Sequence, residues 1–228
     1  MLPLMLAIPF VAAVLPWLFK RHFGVPPALP AAVAAVSALL CLASVAPAVF
    51  SGETLLAGTR WLPALGLNLT FRLDGLGLLF AILILGIGLL VILYAHYYLK
   101  AEDATGRFYG FLLFFMGAML GLVLAENLLL LLVFWELTSL SSFLLIGYWR
   151  HNSEARQGAR LALMITGGGG LALFAAVLII GNIVGSFELS DVLAAGPVIR
   201  EHALYVPALV LLLIGAFTKS AQFPFHFW

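Results

Sequence analysis

Two charged residues lie in stretches of sequence that are otherwise strongly apolar. Glu136 lies within "NLLLLLVFWELTSLSSFLLIGYW", residues 127–149, and Lys219 lies within "GAFTKSAQFPFHFW", residues 215–228. With a helical rise of about 1.5 Å per residue, Glu136 comes about 12 Å and Lys219 about 18 Å along their respective helices. An ionised side chain at the centre of a membrane-spanning helix costs roughly 2.5 to 3.5 kcal/mol, so it normally faces protein or a water-filled cavity and marks an ion pathway. The spacing therefore indicates an acid and a base at similar depth in a membrane.

The pair allows two interpretations. At a separation of about 7 Å and an effective dielectric constant near 20, the attraction between Glu136 and Lys219 is roughly 2.4 kcal/mol, which is enough to couple their protonation. This favours a proton relay in which a change of charge on the glutamate makes the lysine release its proton. The alternative is a fixed ion pair that locks two helices of a purely structural subunit, although a buried pair is weak evidence for stability.

The sequence after Lys219 predicts a break in its helix. Pro224 has no N–H and its ring collides with the preceding turn, so we expect the helix to break or kink around residues 221–223. Broken backbone at membrane depth is tolerated where it is buried in protein or lines a cavity. His226, two residues further on, titrates near neutral pH in its unperturbed form and would extend the water path. A histidine that is merely packed is the other interpretation.

The composition places these residues in a membrane protein. Hydrophobic residues make up 64% of the chain, charged residues make up 9%, and the mean hydropathy is +1.16, which is far from the values of soluble globular domains. A net charge of +1 without a Lys/Arg-rich block argues against binding to nucleic acid. With the single cysteine Cys41, no metal-ligand spacing and no lysine after the "TGGGG" of residues 166–170, no metal or cofactor is predicted. Those glycines are expected to allow close helix packing.

Apolar runs of about 20 residues predict an all-α polytopic membrane protein with about seven transmembrane helices, the last broken at Pro224. Basic residues follow the first run, so it is expected to be a retained helix and not a signal peptide. Residues 51–72 predict a short hairpin or an extended segment on the membrane surface. Residues 186–200 predict an interfacial helix ended by Gly196 and Pro197, on the same side of the membrane. The predicted helices are 2–19, 29–50, 73–99, 108–125, 128–149, 158–185 and one that starts near 204.

Basic residues predict the orientation, because Lys and Arg near the ends of spans are retained in the cytoplasm. An N-terminus outside the cell puts seven of them inside and leaves Arg60, Arg72 and Arg200 outside. The seven are Lys20, Arg21, Lys100, Arg107, Arg150, Arg156 and Arg160. Among the other charges, Asp74 is expected to cap a helix N-terminus and Glu126 is expected to be solvated in a tight turn. This predicts a multi-pass protein of the cell membrane.

Four segments together resemble one family. They are "DGLGLLF" from Asp74, "RFYGFLLFF" from Arg107, "LAENLLLLLVFWELTSLSSFLLIGYW" around Glu136 and "GAFTKSAQFPFHFW" around Lys219. The resemblance is to the antiporter-like family that includes the large membrane subunits of respiratory complex I and the A and D subunits of Mrp-type cation/proton antiporters. The residues around Glu136 and the "PFHFW" ending are most similar to the sequences of the A subunits.

The resemblance implies a function and a site. It implies a subunit of a multisubunit Na⁺/H⁺ antiporter, with no cofactor, in which Glu136 and Lys219 are the acid and base of the first half-channel and His226 lies beside the helix break. The implied partners are the other antiporter subunits, the lipid bilayer, H⁺ and Na⁺. The alternative is a proton-pumping membrane subunit of a redox complex such as NADH:quinone oxidoreductase or a membrane-bound hydrogenase.

The resemblance also implies how the chain is divided. Members of the family contain two inverted five-helix repeats, and this chain holds only the first part of such a fold, so it is expected to be either a fragment of a longer subunit or a truncated product. Residues 1–106 are then an N-terminal three-helix region with an extracytoplasmic hairpin-like loop at 51–72. Residues 107–228 are the start of the first repeat.

Overall fold

The computed structural model describes residues 1–100 and 102–228, and helices dominate it. Among the described residues, five helices are long and apolar enough to cross a membrane, and a bent helix pair at the N-terminus forms a sixth candidate. The last apolar helix, with 15 residues, is shorter. The helices are α1 Leu2–Ala12, α2 Leu15–Phe23, α3 Ala28–Phe50, α4 Gly75–Tyr98, α5 Thr105–Leu124, α6 Leu128–Ile146, α7 Ser153–Val184, α8 Leu189–Ala194, α9 Gly196–Glu201 and α10 Tyr205–Lys219. The predicted all-α polytopic membrane fold is confirmed.

The first predicted helix, residues 2–19, is wrong as a single continuous element. The chain forms α1 and then α2, with axes that differ by 44°. Pro16 lies in the first turn of α2 and has no N–H to donate to the carbonyl of Ala12, one turn earlier. The missing hydrogen bond accounts for the bend. The second helix of the pair also continues past the predicted end, to Phe23, before Gly24 ends it in the left-handed conformation (φ +63°).

One compact unit comprises residues 1–57 and 71–124, which contain α1 to α5. Helices α1, α3 and α4 contain no Asp, Glu, Lys or Arg, and the unit packs through small residues, as is usual for helices in lipid. Ala31, Ala35 and Ala38 on α3 are completely buried. At Gly110 on α5 a β-carbon would lie 2.6 Å from the carbonyl oxygen of Ala13, so only glycine allows this approach.

The second compact unit comprises residues 58–70 and 125–228, which contain α6 to α10. The 32-residue helix α7 packs against both α6 and α10. The predicted interfacial helix of residues 186–200 is two short helices, α8 and α9. Gly196 and Pro197 begin α9 where they were expected to end a helix, because proline in the first turn of a helix loses no hydrogen bond.

Of the two predicted possibilities for residues 51–72, the structure forms the hairpin. Strands β1 Leu55–Leu62 and β2 Leu67–Leu73 pair in a two-stranded sheet. A 3-10 turn at Pro63–Leu65 and Gly66, which has φ +66°, connect them. Immediately after β2, Asp74 caps α4 as predicted: the N–H of Gly77 donates to Asp74 Oδ1 at 2.9 Å. Arg72 Nε lies 3.1 Å from Asp74 Oδ2. The Gly77 N–H, aided by Arg72, lowers the pKa of Asp74 although partial burial acts in the opposite direction.

Hydrogen bonds join the hairpin to two distant turns of the second unit. Glu188 Oε1 accepts from Asn68 Nδ2 at 2.8 Å and from Asn127 Nδ2 at 2.9 Å, and Glu188 Oε2 accepts from Thr70 Oγ1 at 2.8 Å. Strand β2 of the hairpin and the segment that begins at residue 186 are therefore in direct contact. We call the six polar residues of this network the hairpin anchor: Asn68, Thr70, Glu126, Asn127, Glu188 and Ser190.

Glu126 was expected to be solvated, and this expectation was wrong. The side chain is only 5% exposed. Its Oε1 accepts hydrogen bonds from the backbone N–H of Ser190, at 2.9 Å, and from the Ser190 hydroxyl. The backbone N–H of Glu126 donates to the carbonyl of Thr70 at 2.9 Å. The tight turn between α5 and α6 is thus covered by the hairpin and by the start of α8.

Candidate functional site

Helix α6 positions Glu136 near the middle of a span. The helix begins after Asn127, whose Oδ1 accepts from the N–H groups of Leu129 at 3.1 Å and Leu130 at 3.2 Å and so satisfies two of the free donors at the helix start. Glu136 follows on the third turn of this 19-residue helix. Ser139, three residues later, lies on the same face of α6.

Lys219 is the last residue of α10, and its side chain reaches α6. The Nζ atom donates to the hydroxyl of Ser139 at 2.9 Å and lies 5.3 Å from the centroid of the Trp135 ring. A positive charge at the C-terminus of a helix is stabilised by the free carbonyl groups there, and the face of an indole ring also attracts a cation. Lys219 therefore has two local sources of stabilisation besides any contribution from Glu136.

Ser139 contacts Lys219 and lies one helical turn from Glu136 on α6. Within the part of the chain that the structure describes, Glu136 and Lys219 share no direct salt bridge, and their attraction acts across a gap. The Ser139 hydroxyl accepts from Lys219 and donates to the carbonyl of Trp135 at 3.3 Å. A hydroxyl can both donate and accept a hydrogen bond, so Ser139 can link neighbouring groups in a chain of hydrogen bonds.

Two glycines of α7 form the surface against which this site packs. A β-carbon at Gly170 would lie 1.8 Å from Glu136 Oε1, and one at Gly169 would lie 1.7 Å from Thr218 Oγ1. Both distances are far below a van der Waals contact, so glycine at these positions makes room for the glutamate and for α10. Gly167 and Gly168 have open space where a β-carbon would lie. The interpretation of "TGGGG" as a helix-packing segment is confirmed for its last two glycines.

The predicted break after Lys219 is present and begins slightly earlier than expected. Helix α10 ends at Lys219, and Ala221 takes a left-handed conformation with φ +53°. The following residues satisfy the free carbonyls of the helix end. Gln222 N–H donates to Phe217 O at 3.0 Å, and the indole N–H of Trp228 donates to Thr218 O at 3.0 Å. The segment that contains Pro224 is thereby folded back against the end of α10.

Within the described residues, His226 shares no hydrogen bond with the other predicted site residues. Its imidazole stacks on Phe223, with ring centroids 5.6 Å apart, and meets the ring of Phe227 edge-on at 6.3 Å. The residue is exposed. The structure thus brings Lys219 onto the face of α6 that carries Glu136, while the ring contacts of His226 lie within its own segment.

The two charged residues differ in exposure. Lys219 is half-buried, whereas Glu136 is exposed on this chain, and the polar residues Thr138, Ser139 and Thr218 beside them are buried. That both charges face protein or a water-filled cavity stays a prediction. No group of three or more His, Cys, Asp or Glu side chains that could hold a metal ion occurs among them.

Ser139, Trp135 and Gly170 are site residues that sequence reasoning missed. Ser139 had a usable signal, because a residue three positions after Glu136 shares its helix face. Trp135 and Gly170 had none, since their roles depend on how α7 and α10 pack against α6. The glycine run predicted close packing without indicating which side chain it would meet.

Comparison with known proteins agrees with this architecture. A family described as "NADH:quinone oxidoreductase/Mrp antiporter, TM" matches residues 125–228, and one described as "NADH-Ubiquinone oxidoreductase (complex I), chain 5 N-terminus" matches residues 61–109. The chain is 60% identical over 194 residues to a probable A/B subunit of a K(+)/H(+) antiporter of Rhizobium meliloti, and the match covers 84% of this chain and 19% of the relative. It is 50% identical over 169 residues to the A subunit of a Na(+)/H(+) antiporter of Alkalihalophilus pseudofirmus, covering 74% and 21%.

A solved structure shares the fold as well. A chain of the Mrp complex from Dietzia sp. superimposes with a TM-score of 0.84 at 35% identity, covering 99% of this chain and 24% of that chain. The chain spans about a fifth of the length of the curated relatives that it matches. Together with its membrane-spanning helices, these matches show part of a multi-pass membrane protein. The chain belongs to the antiporter-like family that Mrp antiporter subunits share with membrane subunits of complex I.

Proposed function

We propose that this chain forms part of a subunit of a multisubunit monovalent cation/proton antiporter in the cell membrane. It would serve transport and would not itself catalyse a chemical reaction. The names of the relatives support this proposal, and the observation that carries it is the hydrogen bond from Lys219 to Ser139 on the Glu136 face of α6. One relative is named for K⁺ and another for Na⁺, so the cation itself needs a direct test.

The proposed mechanism uses Glu136 and Lys219 as a coupled acid and base. The negative charge of Glu136 favours the charged form of Lys219, so a proton that binds Glu136 releases one from Lys219. Ser139 and water would bridge the gap between the two side chains, since no direct salt bridge joins them in the described structure. His226 is the next carrier in this proposal, beyond the end of α10, and that assignment stays a prediction.

The exposure of Glu136 supports a partner in the membrane. A carboxylate at the centre of a span is costly against lipid, by roughly 2.5 to 3.5 kcal/mol when it is ionised. We therefore propose that another part of the antiporter, from the same or a neighbouring subunit, covers the exposed face of α6 around Glu136. The orientation with the N-terminus outside, and the division into residues 1–106 and 107–228, also stay predictions.

Exchange of ions in membrane vesicles tests the proposal. Glu136→Gln and Lys219→Gln are each introduced into the full-length subunit within its complex, and cation-dependent proton movement is followed in inverted vesicles with Na⁺ and with K⁺. Both variants are expected to lose exchange while the complex still assembles. Glu154→Gln and Lys100→Gln remove exposed charges elsewhere and are expected to exchange normally. Normal exchange in both site variants would overturn the relay.

A proton-pumping subunit of a redox complex is the second candidate. The descriptions of both matching families name NADH oxidoreductases, which favours retaining it. Purification of the complex distinguishes the two. A redox complex would carry iron–sulfur subunits and would move protons when NADH is oxidised, whereas an antiporter would respond to a cation gradient alone.

A further inference from the structure

One exposed face of α7 changes from basic to apolar along its length. Arg156 and Arg160 lie one helical turn apart in its first part and are both exposed, so they share this face. Met164, which is 66% exposed, and Leu171, which is 72% exposed, continue the same face at helical spacing. None of the buried residues of α7 lies on it. Two positive charges therefore stand at one end of an exposed apolar strip.

The length of α7 places the two arginines at the level of lipid head groups. The helix has 32 residues and is about 48 Å long, whereas the hydrocarbon core of a bilayer is about 30 Å thick. The part of α7 without charged residues begins directly after Arg160, so the arginines precede the segment that crosses the core. Trp149, in the turn before α7, is 39% exposed, and tryptophan is enriched at this depth.

Three arginines near the start of α7 have no acidic partner. Arg156 Nη1 donates to the backbone carbonyl of Arg150 at 2.7 Å, so the Arg156 guanidinium lies against the turn that carries Arg150. Arg150, Arg156 and Arg160 are exposed, and within the described structure none of them forms a salt bridge. Glu154 is the only acidic residue in 137–187. Like charges four residues apart on a helix repel each other, so an anion bound at Arg156 and Arg160 would relieve this repulsion.

We propose that this face of α7 binds an anionic phospholipid, with its phosphate at Arg156 and Arg160 and an acyl chain along Met164 and Leu171. An acidic protein segment would match the arginines alone, whereas a phospholipid matches the arginines and the apolar strip that continues from them. Guanidinium groups bind phosphate through two parallel hydrogen bonds. Gly167, on the same face, has open space where a β-carbon would lie and leaves room for the chain. This inference is independent of the proposed transport function.

Photo-crosslinking with two lipids tests the proposal. The probes are phosphatidylglycerol and phosphatidylcholine that carry a diazirine in one acyl chain, and they differ in the net charge of the head group. The full-length subunit in its complex is incubated in detergent with a subsaturating amount of either probe and irradiated, and the labelled peptides are identified by mass spectrometry. We expect labelling of residues 161–175 that is severalfold stronger with phosphatidylglycerol.

Variants of the arginines separate charge from folding. Arg156→Gln and Arg160→Gln are each expected to lower phosphatidylglycerol labelling about fivefold, which corresponds to ~1 kcal/mol per basic residue near a membrane surface. The double variant with Arg156→Lys and Arg160→Lys keeps both charges and is expected to keep most of the labelling. Arg200→Gln removes an exposed arginine from α9 and is expected to label as the wild type does.

Four results would overturn the proposal. One is equal labelling of residues 161–175 by the two lipids. Another is wild-type labelling when Arg156 and Arg160 are both replaced by glutamine. The third is a loss in the double lysine variant as large as that in the double glutamine variant, because charge would then not explain the binding. The fourth is a face that no lipid labels and that an acidic segment of another subunit covers.

Discussion

Two glutamates of the same compact unit lie in opposite kinds of surroundings. Glu188, in the hairpin anchor, accepts three hydrogen bonds from the side chains of Asn68, Thr70 and Asn127. Glu136, in the middle of α6, accepts no hydrogen bond from any residue that the structure describes, and it faces Lys219 across a gap. One carboxylate is held by fixed neutral donors, and the other has a charged lysine nearby without a direct contact.

The difference shows what each carboxylate can do. A carboxylate with three fixed donors is stabilised in its ionised form and connects the elements that carry those donors. A carboxylate without donors, next to a charge that can itself titrate, can gain and lose a proton with little rearrangement. We therefore propose that the hairpin anchor stabilises the fold and that the Glu136 region serves proton transfer, and four substitutions test this difference.

The largest expected effect is on stability, from Glu188→Ala. Three side chains would lose an acceptor, although Asn127 keeps its bond to the carbonyl of Gly66, and a net hydrogen bond to a charged group contributes about 1.5 to 3 kcal/mol. We expect a lower midpoint of thermal unfolding for the purified full-length complex and a lower yield. Glu53→Ala, at an exposed carboxylate before β1, is the control and should unfold as wild type does. An unchanged midpoint for Glu188→Ala would show that the anchor does not stabilise the fold.

Gly170→Ala should impair exchange without unfolding the protein. The new methyl group would meet the Glu136 carboxylate, which is the movable end of a side chain, so the carboxylate shifts and the helices stay in place. Proton exchange in vesicles is expected to fall strongly. Gly167→Ala places the same group in open space on the same helix and is expected to exchange as wild type does. Equal rates of proton exchange in the two variants would show that Gly170 is not part of the site.

Ser139→Ala should have a smaller effect on exchange. Lys219 would lose its acceptor, and a hydrogen bond to a charged group contributes about 1.5 to 3 kcal/mol. If about 1.4 kcal/mol of this stabilisation is lost in the proton-transfer step, the rate of exchange falls by roughly tenfold. Ser141→Ala, on the same helix, removes a hydroxyl that bonds only to carbonyls of α6 and serves as the control. A wild-type rate of proton exchange in Ser139→Ala would show that Ser139 does not lie on the proton path.

The smallest effect is expected from Asp74→Asn, and it depends on pH. Because the folded protein lowers the pKa of Asp74, the ionised group contributes stability above its ordinary value of 3.8, and that contribution is lost as the pH falls through the lowered value. The asparagine can still accept from Gly77 through Oδ1, but it loses the contact of Oδ2 with Arg72 Nε and the charge, which at a helix N-terminus is worth about 0.3 to 1 kcal/mol. Unfolding midpoints of the two proteins should differ slightly near neutral pH and converge in acid. A difference between the two unfolding midpoints that does not change with pH would contradict the lowered pKa of Asp74.

The sequence predicted the spans because apolar runs and proline positions are local signals. It predicted the hairpin and the cap at Asp74 for the same reason. Glu126 was misjudged, since its partner Ser190 lies 64 residues away and nothing near the turn indicates that contact. The bend between α1 and α2 could have been predicted from Pro16, which removes one hydrogen bond from an otherwise continuous apolar helix.

The candidate site was predictable only in part. Glu136 and Lys219 could be identified because a charged side chain is far less stable in lipid than in water, so it is rare in an apolar run. That Lys219 would contact Ser139, and that Gly170 would leave room for Glu136, depends on the packing of three helices. The exposure of Glu136 also depends on tertiary structure, and no pattern in α6 predicts it.

The central claim is that Glu136 and Lys219 control each other's protonation. Infrared titration of the full-length complex measures this directly, with the carboxyl band of Glu136 assigned by its loss in Glu136→Gln. We predict that the midpoint of this titration differs between the wild type and Lys219→Gln, and that it is the same in the wild type and Lys100→Gln. An identical midpoint with and without the charge of Lys219 would contradict the account.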